Sequence, residues 1–260
     1  MVVNSYMCRW AGKEIIHEAW MDSTNEAAKR GGDAGAKHGT VFWADRQTAG
    51  KGRRGRSWYS EELGNLYFTL LLRPLLTPQK ASMLTLIMAY GVAQAVREET
   101  GLEALIKWPN DIVVHGKKVC GILSEMKLAG SGIDYCVIGV GVNVGQQHFA
   151  KDIQDKATSL SAEAGRSVEA GGLLQRILYF FEQAYESFAQ SQNLATVQEQ
   201  YNALLINRNK QVRVLDPKGE YEGIARGITP TGELLVEVAE GQYERVYAGE
   251  VSVRGLYGYV

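Results

Sequence analysis

The sequence predicts an α+β chain in two parts, a larger one mixing helices and strands and a small closed β-barrel at the C-terminal end. Three observations predict it. The chain has 260 residues, 45% of them hydrophobic, enough for one good-sized core and a second small domain at roughly 150 residues per domain. Stretches with helical and with extended patterning are interspersed as far as Ile206. From about Arg208 the texture changes to short alternating strands separated by turns with little helix between them, the pattern of a small barrel. The expected division is residues 1–207 and 208–260.

Lys13 to Trp20 reads as a strand. Ser23-Thr24-Asn25-Glu26 then sets Ser-x-x-Glu, a capping box, at the head of the helical stretch Glu26 to Arg30, which Gly31-Gly32 closes. Thr40 to Ala44 is short and rich in β-formers. It feeds a segment, Arg46 to Trp58, whose glycines and five positive charges predict a mobile loop without regular structure in its middle. Asn65 to Leu72 is a buried strand by its continuous apolar character. After Pro78, an amphipathic helix is expected over Gln79 to Thr100, stopping at Gly101.

Ile112 to Val114 and Lys118 to Met126 flank the turn His115-Gly116-Lys117, and Tyr135 to Val144 returns after Gly130-Ser131-Gly132, so three strands form an antiparallel meander. Leu173 to Gln190 and Thr196 to Ile206 have helical periodicity. The barrel strands are Gln211 to Leu215, Tyr221 to Ile228, Leu234 to Val238 and Tyr243 to Tyr247, with turns at Asp216-Pro217-Lys218-Gly219 and Pro230-Thr231-Gly232.

Composition excludes several function classes. Twenty-eight basic residues against twenty-nine acidic ones leave no global field to draw the chain onto nucleic acid or an anionic membrane, so any positive site is local. Cys8, Cys120 and Cys136 are odd in number and form no C-x-x-C pair, and no Cys/His cluster has zinc spacing, so buried reduced thiols are expected. His17, His38, His115 and His148 are scattered without a partner pattern. Met1 to Trp20 lacks an uninterrupted apolar run and no stretch reaches ~18 apolar residues, which predicts a cytoplasmic protein.

The densest chemistry lies in Gly50-Lys51-Gly52-Arg53-Arg54-Gly55-Arg56-Ser57. It fits G-x-G-x-x-G and stands one substitution from a P-loop, but both motifs must open a helix, and here Ser57-Trp58-Tyr59 leads on to a strand. Glycines let the backbone approach an anion closely, and arginines add bidentate donors suited to phosphate or carboxylate. The loop is therefore built either to fold over an anionic ligand or, as the bland alternative, to stay solvated or touch RNA.

Read outward from the loop, Gln47-Thr48-Ala49-Gly50-Lys51-Gly52-Arg53-Arg54-Gly55-Arg56-Ser57-Trp58 resembles the biotin-binding loop of biotin protein ligases, Q-x-x-G-R-G-R-x-x-R-x-W, with Lys51 as the departure. Further blocks follow the family's order: Asp22-Ser23-Thr24-Asn25, Lys107-Trp108-Pro109-Asn110-Asp111, Lys118-Val119-Cys120-Gly121-Ile122-Leu123-Ser124-Glu125, Gly139-Val140-Gly141-Val142-Asn143-Val144 and Ala157-Thr158-Ser159-Leu160. Gly249-Glu250-Val251-Ser252-Val253-Arg254 resembles part of the family's small C-terminal domain, so the resemblance spans essentially the whole chain.

The resemblance implies a mixed central β-sheet flanked by helices, like that of class II aminoacyl-tRNA synthetases, in a catalytic biotin- and ATP-binding domain, followed by an SH3-like barrel. It implies two steps: biotin is activated with ATP to biotinyl-5′-AMP with release of pyrophosphate, then transferred to a lysine of a biotin carboxyl carrier protein, as in acetyl-CoA carboxylase. Magnesium is expected with the ATP, with its ligands unassigned. Only Met1 to Asp22 precede the Ser-Thr-Asn block, where bifunctional members carry a DNA-binding domain, so no DNA partner is expected. Family members occur as monomers or homodimers.

By resemblance, Lys118, Arg53 and Asp111 are the catalytic candidates. Two anionic reactants repel, and positive groups must offset charge as it moves onto the α-phosphate and the leaving pyrophosphate. Lys118 would reach the biotin carboxylate and the phosphate from a strand, which fixes its reach. Its bland alternative is a solvated lysine after a turn. Ser23, Thr24 and Asn25 would hold biotin's ureido ring, joined by Gln47, and Ser23 can serve a capping box as well. Gly50, Lys51 and Gly52 would present backbone N–H groups, and Arg53 would cover the adenylate. Gly121, Gly139 and Gly141 sit on strands that disfavour glycine, so a flat ligand or another backbone is expected against them. Arg54, Arg56, Trp58, Asn110 and Asn143 complete the ATP and adenylate side, Trp58 by stacking on adenine or else by simple core packing. Asn110 and Asp111 have a rival role as turn formers.

Two other readings compete. A lipoate ligase or octanoyl transferase also moves an acyl chain onto a carrier lysine, but the Ser-Thr-Asn and basic-loop blocks favour biotin. A nucleic-acid module would use Arg53, Arg54, Arg56 and Trp58 with the barrel as platform, yet from Arg208 onward there are seven basic and eight acidic residues.

Overall fold

The computed structural model describes residues 6–216, 219–248, 252–255 and 260. Strand β1 (Ile15–Met21) lies parallel to β2 (Val41–Gln47), and helix α1 (Thr24–Asp33) makes the crossover between them. β3 (Leu66–Leu72) runs antiparallel to β2, and every residue in it is buried. Helix α2 (Ser82–Thr100) ends where Gly101 takes φ 76°, a left-handed stop that glycine adopts without strain. Then β4 (Leu105–Lys107), β5 (Asp111–Val114), β6 (Lys117–Ala129) and β7 (Gly132–Val142) run antiparallel in sequence, and β7 inserts beside β3. The 7-stranded sheet has the order β1-β2-β3-β7-β6-β5-β4. His115 and Gly116, with φ 48° and 76°, form the tight turn between β5 and β6.

Helices α3 (Leu160–Ala164), α4 (Ala170–Ser191) and α5 (Gln198–Leu204) follow. α2 packs between the sheet and α4, so it is buried on more than one face rather than amphipathic. Gly91 allows the closest approach, since a Cβ there would stand 3.0 Å from the Phe181 backbone nitrogen. Glu182 of α4 is fully buried, and its carboxylate accepts from the backbone N–H groups of Arg9, Trp10 and Ala11 at 2.6, 2.9 and 2.8 Å. The leading segment is thereby clamped to the core.

The chain ends in β8 (Lys210–Asp216), β9 (Gly219–Ile228), β10 (Leu234–Ala239), β11 (Gln242–Val246) and β12 (Ser252–Gly255), a 5-stranded antiparallel sheet of order β11-β10-β9-β8-β12. No ladder joins β11 to β12 among the described residues. Pro217 and Lys218 of the expected turn, and Gly249, Glu250 and Val251 of the last block, lie outside the described residues. The small sheet docks behind β4: Leu194 N–H donates to Pro230 O at 2.7 Å and the Trp108 indole to Gly232 O at 3.3 Å. No described helix is long and apolar enough to cross a membrane.

Two expectations are corrected. Gly31-Gly32 does not end α1, which continues to Asp33 and stops at Ala34 and the left-handed Gly35 (φ 87°). The pair serves packing instead: a Cβ on Gly31 would meet the Phe42 ring at 2.3 Å, and one on Gly32 the Tyr135 ring at 2.8 Å. The loop after β2 does contain regular structure. Lys51 and Ser57 form an antiparallel bridge around a single 3-10 turn, Arg53–Gly55, and Arg46 and Gln47 belong to β2.

Candidate functional site

One face of β3, β7 and β6 forms the floor. Thr69 pairs with Gly139, and Gly141 with Gly121, so three glycines and one threonine share that face. Gly121 and Lys118 are three residues apart and in a regular strand would face opposite ways. A register shift between β5 and β6, where Ile112 pairs with Cys120 but Val113 with Lys118, inserts one residue and turns Lys118 to the same side. Lys118 is pinned further by its backbone, with its N–H donating to Lys156 O at 2.8 Å and its carbonyl accepting from Thr158 N–H at 3.0 Å.

The N-terminus of α1 points at this floor. Ser23 occupies the N-cap position, but its side chain makes no capping bond. The capping box is not formed, because Glu26 turns away to two lysines, Lys51 at 2.6 Å and Lys29 at 2.9 Å. Gln47 takes over part of the cap: its Oε1 accepts from Thr24 N–H at 2.8 Å and from the Thr24 hydroxyl at 3.2 Å. Thr69 Oγ1 lies 2.8 Å from Thr24 Oγ1 and 2.7 Å from Asn25 Oδ1, sharing one proton between them. Asn25 Nδ2 donates to Glu125 Oε2 at 2.8 Å. Asn25 also explains Gly139, where a Cβ would stand 2.0 Å from Asn25 Oδ1.

The basic loop closes over the opposite side. Its base is fixed: Thr48 and Ala49 donate to Met21 and Asp22 carbonyls at 3.0 and 2.7 Å, and Gln47 Nε2 donates to Ser60 Oγ at 3.0 Å. Trp58 N–H closes the loop on Gly50 O at 2.9 Å. The Trp58 indole then lies flat on the floor, within 2.7 Å of where a Gly121 Cβ would be and 2.6 Å of a Gly141 Cβ. Lys118 Nζ stands 5.2 Å from the centre of that ring, within cation–π reach. Against these two glycines lies the Trp58 side chain rather than the ligand or second backbone expected there.

At the far end the charges gather. Lys118 Nζ donates to Asp111 Oδ1 at 2.6 Å. Arg53 Nη1 donates to Asn110 Oδ1 at 2.7 Å, and Asn110 Nδ2 donates to Ile122 O at 3.1 Å, so the loop arginine is referred to β6. Burial lowers the Arg53 guanidinium from its ordinary range, against the pull of Asp111. Lys107 is 7% exposed. Its burial pushes the ammonium down to about 8 despite Asp111, with Lys118, Arg254 and Arg56 acting in the same downward direction.

Most of the expected residues therefore meet. Ser23, Thr24, Asn25, Gln47, Lys51 and Gly52 line one side of a single cavity, and Arg53, Trp58, Asn110, Lys118 and the three floor glycines the rest. With Trp58 inside, the cavity holds about 50 Å³, against ~300–1,000 Å³ for ordinary small-molecule sites. Asp111 stands behind Lys118, and Arg54 and Arg56 are exposed on the loop. Gly50 faces Ser60 and the Trp58 carbonyl. Asn143 is turned to Thr158 O at 3.1 Å and tethers the segment before α3. Cys120 and Cys136 are buried and free, and burial raises both thiols, Cys136 to about 12. Thr69, Ser60, Glu125 and Lys107 complete the site without having been nominated from sequence. Lys107 and Glu125 lay inside quoted blocks, whereas Thr69 and Ser60 carried no signal.

Comparison with known proteins agrees with this geometry. Residues 19–143 match the biotin/lipoate A/B protein ligase family, and residues 209–254 match the biotin protein ligase C-terminal domain. The chain is 37% identical over 246 residues to the bifunctional ligase/repressor BirA of Bacillus subtilis, covering 93% of this chain and 74% of that one. It is 30% identical over 240 residues to the biotin--[acetyl-CoA-carboxylase] ligase of Paracoccus denitrificans, covering 90% and 98%. The structure of biotin protein ligase from Aquifex aeolicus in complex with biotin and ATP superposes with a TM-score of 0.81 at 29% identity, covering 94% of this chain and 99% of that one.

Proposed function

The chain belongs to the biotin protein ligases of the biotin/lipoate A/B protein ligase family, and from that premise we propose that the cavity between α1, the basic loop and β6 is where it joins biotin to AMP and then to a carrier lysine. The protein is a biotin protein ligase that uses biotin and ATP. The observation carrying the site assignment is that Ser23, Asn25, Gln47, Arg53, Trp58 and Lys118, taken from three separate sequence blocks, line one cavity.

In the first step a biotin carboxylate oxygen bonds to the α-phosphorus of ATP as the bond to pyrophosphate breaks. In the second, the amine of a carrier lysine attacks the acyl carbon, AMP leaves, and the amine's proton passes to solvent. Thr24, Asn25, Ser23 and Gln47 present donors and acceptors to the ureido ring, with Thr69 aligning Thr24 and Asn25 and Thr24 holding Gln47. Gly121 and Gly141, once Trp58 has moved off them, leave room for the fused rings and chain, and Gly139 makes room for Asn25 beside them. Lys51 and the side chains of Arg53 and Lys118 border the junction of carboxylate and phosphate, where negative charge accumulates, whereas Gly50 turns to Ser60 and the Gly52 N–H is given to Arg56 O at 2.7 Å. Asp111 keeps Lys118 extended toward that junction, and Arg54, Arg56, Asn110 and Lys107 serve the nucleotide side, with Asn143 acting only indirectly by holding Thr158 O. Trp58 leaves the floor when biotin enters and offers its face to adenine.

Among the described residues no group of three or more His, Cys, Asp or Glu could hold a metal. That suits Mg²⁺, which keeps waters and phosphate oxygens and needs one or two carboxylates from protein. Asp111, whose Oδ1 is shared with Lys118, would hold it, and when bound it would offset phosphate charge; the Asn110 amide oxygen is already taken by Arg53. The acceptor is read as the biotin carboxyl carrier protein of acetyl-CoA carboxylase or a related enzyme. Residues 1–207 are read as the catalytic domain and 208–260 as the SH3-like one, with support from the family match over 209–254.

Pyrophosphate release from ATP tests the reading. Biotin stimulates release, lipoate does not, and Lys118→Ala lowers the biotin-dependent rate by about 100-fold, the scale for losing one electrostatic stabiliser. Equal stimulation by lipoate, or full activity in Lys118→Ala, would overturn it.

A further inference from the structure

Lys51 stands where the family pattern carries arginine, and its ammonium is held by Glu26 at 2.6 Å. Glu26 lies in the first turn of α1, immediately after Asn25. The same Glu26 oxygen accepts from Lys29 at 2.9 Å; Lys29 donates to Glu125 Oε1 at 2.5 Å; and Glu125 Oε2 accepts from Asn25 Nδ2 at 2.8 Å. Five side chains therefore connect the basic loop, at its Lys51–Ser57 bridge, to the residue over Gly139 in the floor. The carboxylate of Glu26 is held below its usual range by Lys51 first and Lys29 second, so it is ionised at neutral pH.

We infer that Glu26 is a positioning residue that latches the basic loop shut through Lys51, slowing escape of the enclosed adenylate, while Lys29 and Glu125 tie the latch to Asn25. The adenylate part rests on the function proposed above. The latch is weak by construction. The Lys51 and Glu26 side chains are 48% and 30% exposed, and such pairs change an equilibrium by about five-fold at most. A loop that opens in every turnover needs a fastening of this strength. A lysine suits it too, because one point charge meets one carboxylate oxygen, whereas an arginine fork would favour a two-pronged hold.

The test uses the full chain as wild type, Glu26→Gln, Lys51→Gln and the double variant, with two readouts. The first is the rate at which preformed biotinyl-5′-AMP dissociates. The second is tryptic cleavage after Arg53, Arg54 and Arg56, with and without ligand. Glu26→Gln should speed both by about three- to five-fold, and the double variant should be no faster than the faster single one, because both substitutions break the same contact. Unchanged rates in Glu26→Gln, or effects of the two substitutions that multiply, would overturn the latch. Lys51→Gln lies on the loop and leaves the core intact, so wild-type cleavage in that variant overturns the latch even if Glu26→Gln folds poorly. Cleavage of the ligand-free chain tests the latch whether or not an adenylate forms, whereas a wild-type chain that makes no adenylate counts against the proposed function alone.

Discussion

Trp58 rests on Gly141 so closely that a single added methyl group would stand 2.6 Å from its indole nitrogen. That nitrogen is buried and has no hydrogen-bond partner among the described residues. A buried donor without a partner costs about 1–3 kcal/mol, which favours exchange of the inserted indole for a ligand. Biotin binding should therefore change the fluorescence of Trp58. The change should vanish in Trp58→Phe, and a titration showing the same amplitude in that variant would contradict the exchange.

Gly141→Ala places its methyl against the same ring and in the space read as biotin's. The expected result is at least a ten-fold weaker biotin affinity by calorimetry, with a loss of about 1–3 kcal/mol in stability from overpacking.

Thr69 is fully buried, and its hydroxyl sits between Thr24 and Asn25. Thr69→Val keeps the shape and removes the proton, leaving two buried oxygens short of a partner at about 1–3 kcal/mol. Biotin affinity should fall about five- to fifty-fold, and Thr69→Ser should restore most of it. Equal affinities for Val and Ser would show that the hydroxyl does not position Asn25.

Lys107 couples stability and activity to pH. Its folded ammonium titrates at about 8, whereas an unfolded lysine does so at ~10.4. Between those values the unfolded chain binds more protons, so this group makes the fold more stable as pH rises through the window and less stable below it. Lys107→Met should flatten that dependence and be no less stable than wild type near neutral pH, as calorimetry at a series of pH values would show. Turnover should nevertheless drop about ten- to hundred-fold, the scale of one charge-assisted contact to phosphate.

Glu182 receives three backbone donors with no exposure to solvent. Glu182→Gln supplies one acceptor oxygen and an unwanted donor, and should cost about 3 kcal/mol in urea denaturation. Biotin affinity, measured on the fraction still folded, should be unaltered because α4 lies away from the cavity.

Much of the site was legible because its residues are unusual where they stand. Gly121, Gly139 and Gly141 weaken strands, and Arg53 belongs to a cluster of like charge, so each asks for an explanation that only a ligand or a tight contact supplies. Thr69 was invisible because a threonine in an apolar β-run is ordinary. The side of the sheet taken by Lys118 could not be read either, since strict alternation puts it opposite Gly121 and only the inserted residue at the β5–β6 register shift reverses that. Gly31-Gly32 and the Ser23–Glu26 spacing misled for a common reason. Local rules name what a residue can do alone, and here the distant Phe42, Tyr135 and Lys51, with Lys29 one turn away, offered contacts that won.

The cross-link between Gln47 and Ser60 has a kinetic meaning of its own. The two ends of the flap are tied to one another through Gln47 and Ser60, and Thr48 and Ala49 tie the first of them to Met21 and Asp22, so motion of the stretch from Gly50 to Trp58 need not unzip a rung between β2 and its neighbours. Amides at the tip should exchange with deuterium quickly while those of β2 stay protected to the limit of global unfolding. If the exchange behaves so, loop motion is separable from the durability of the sheet, and substitutions at the tip should alter it without eroding the scaffold beneath.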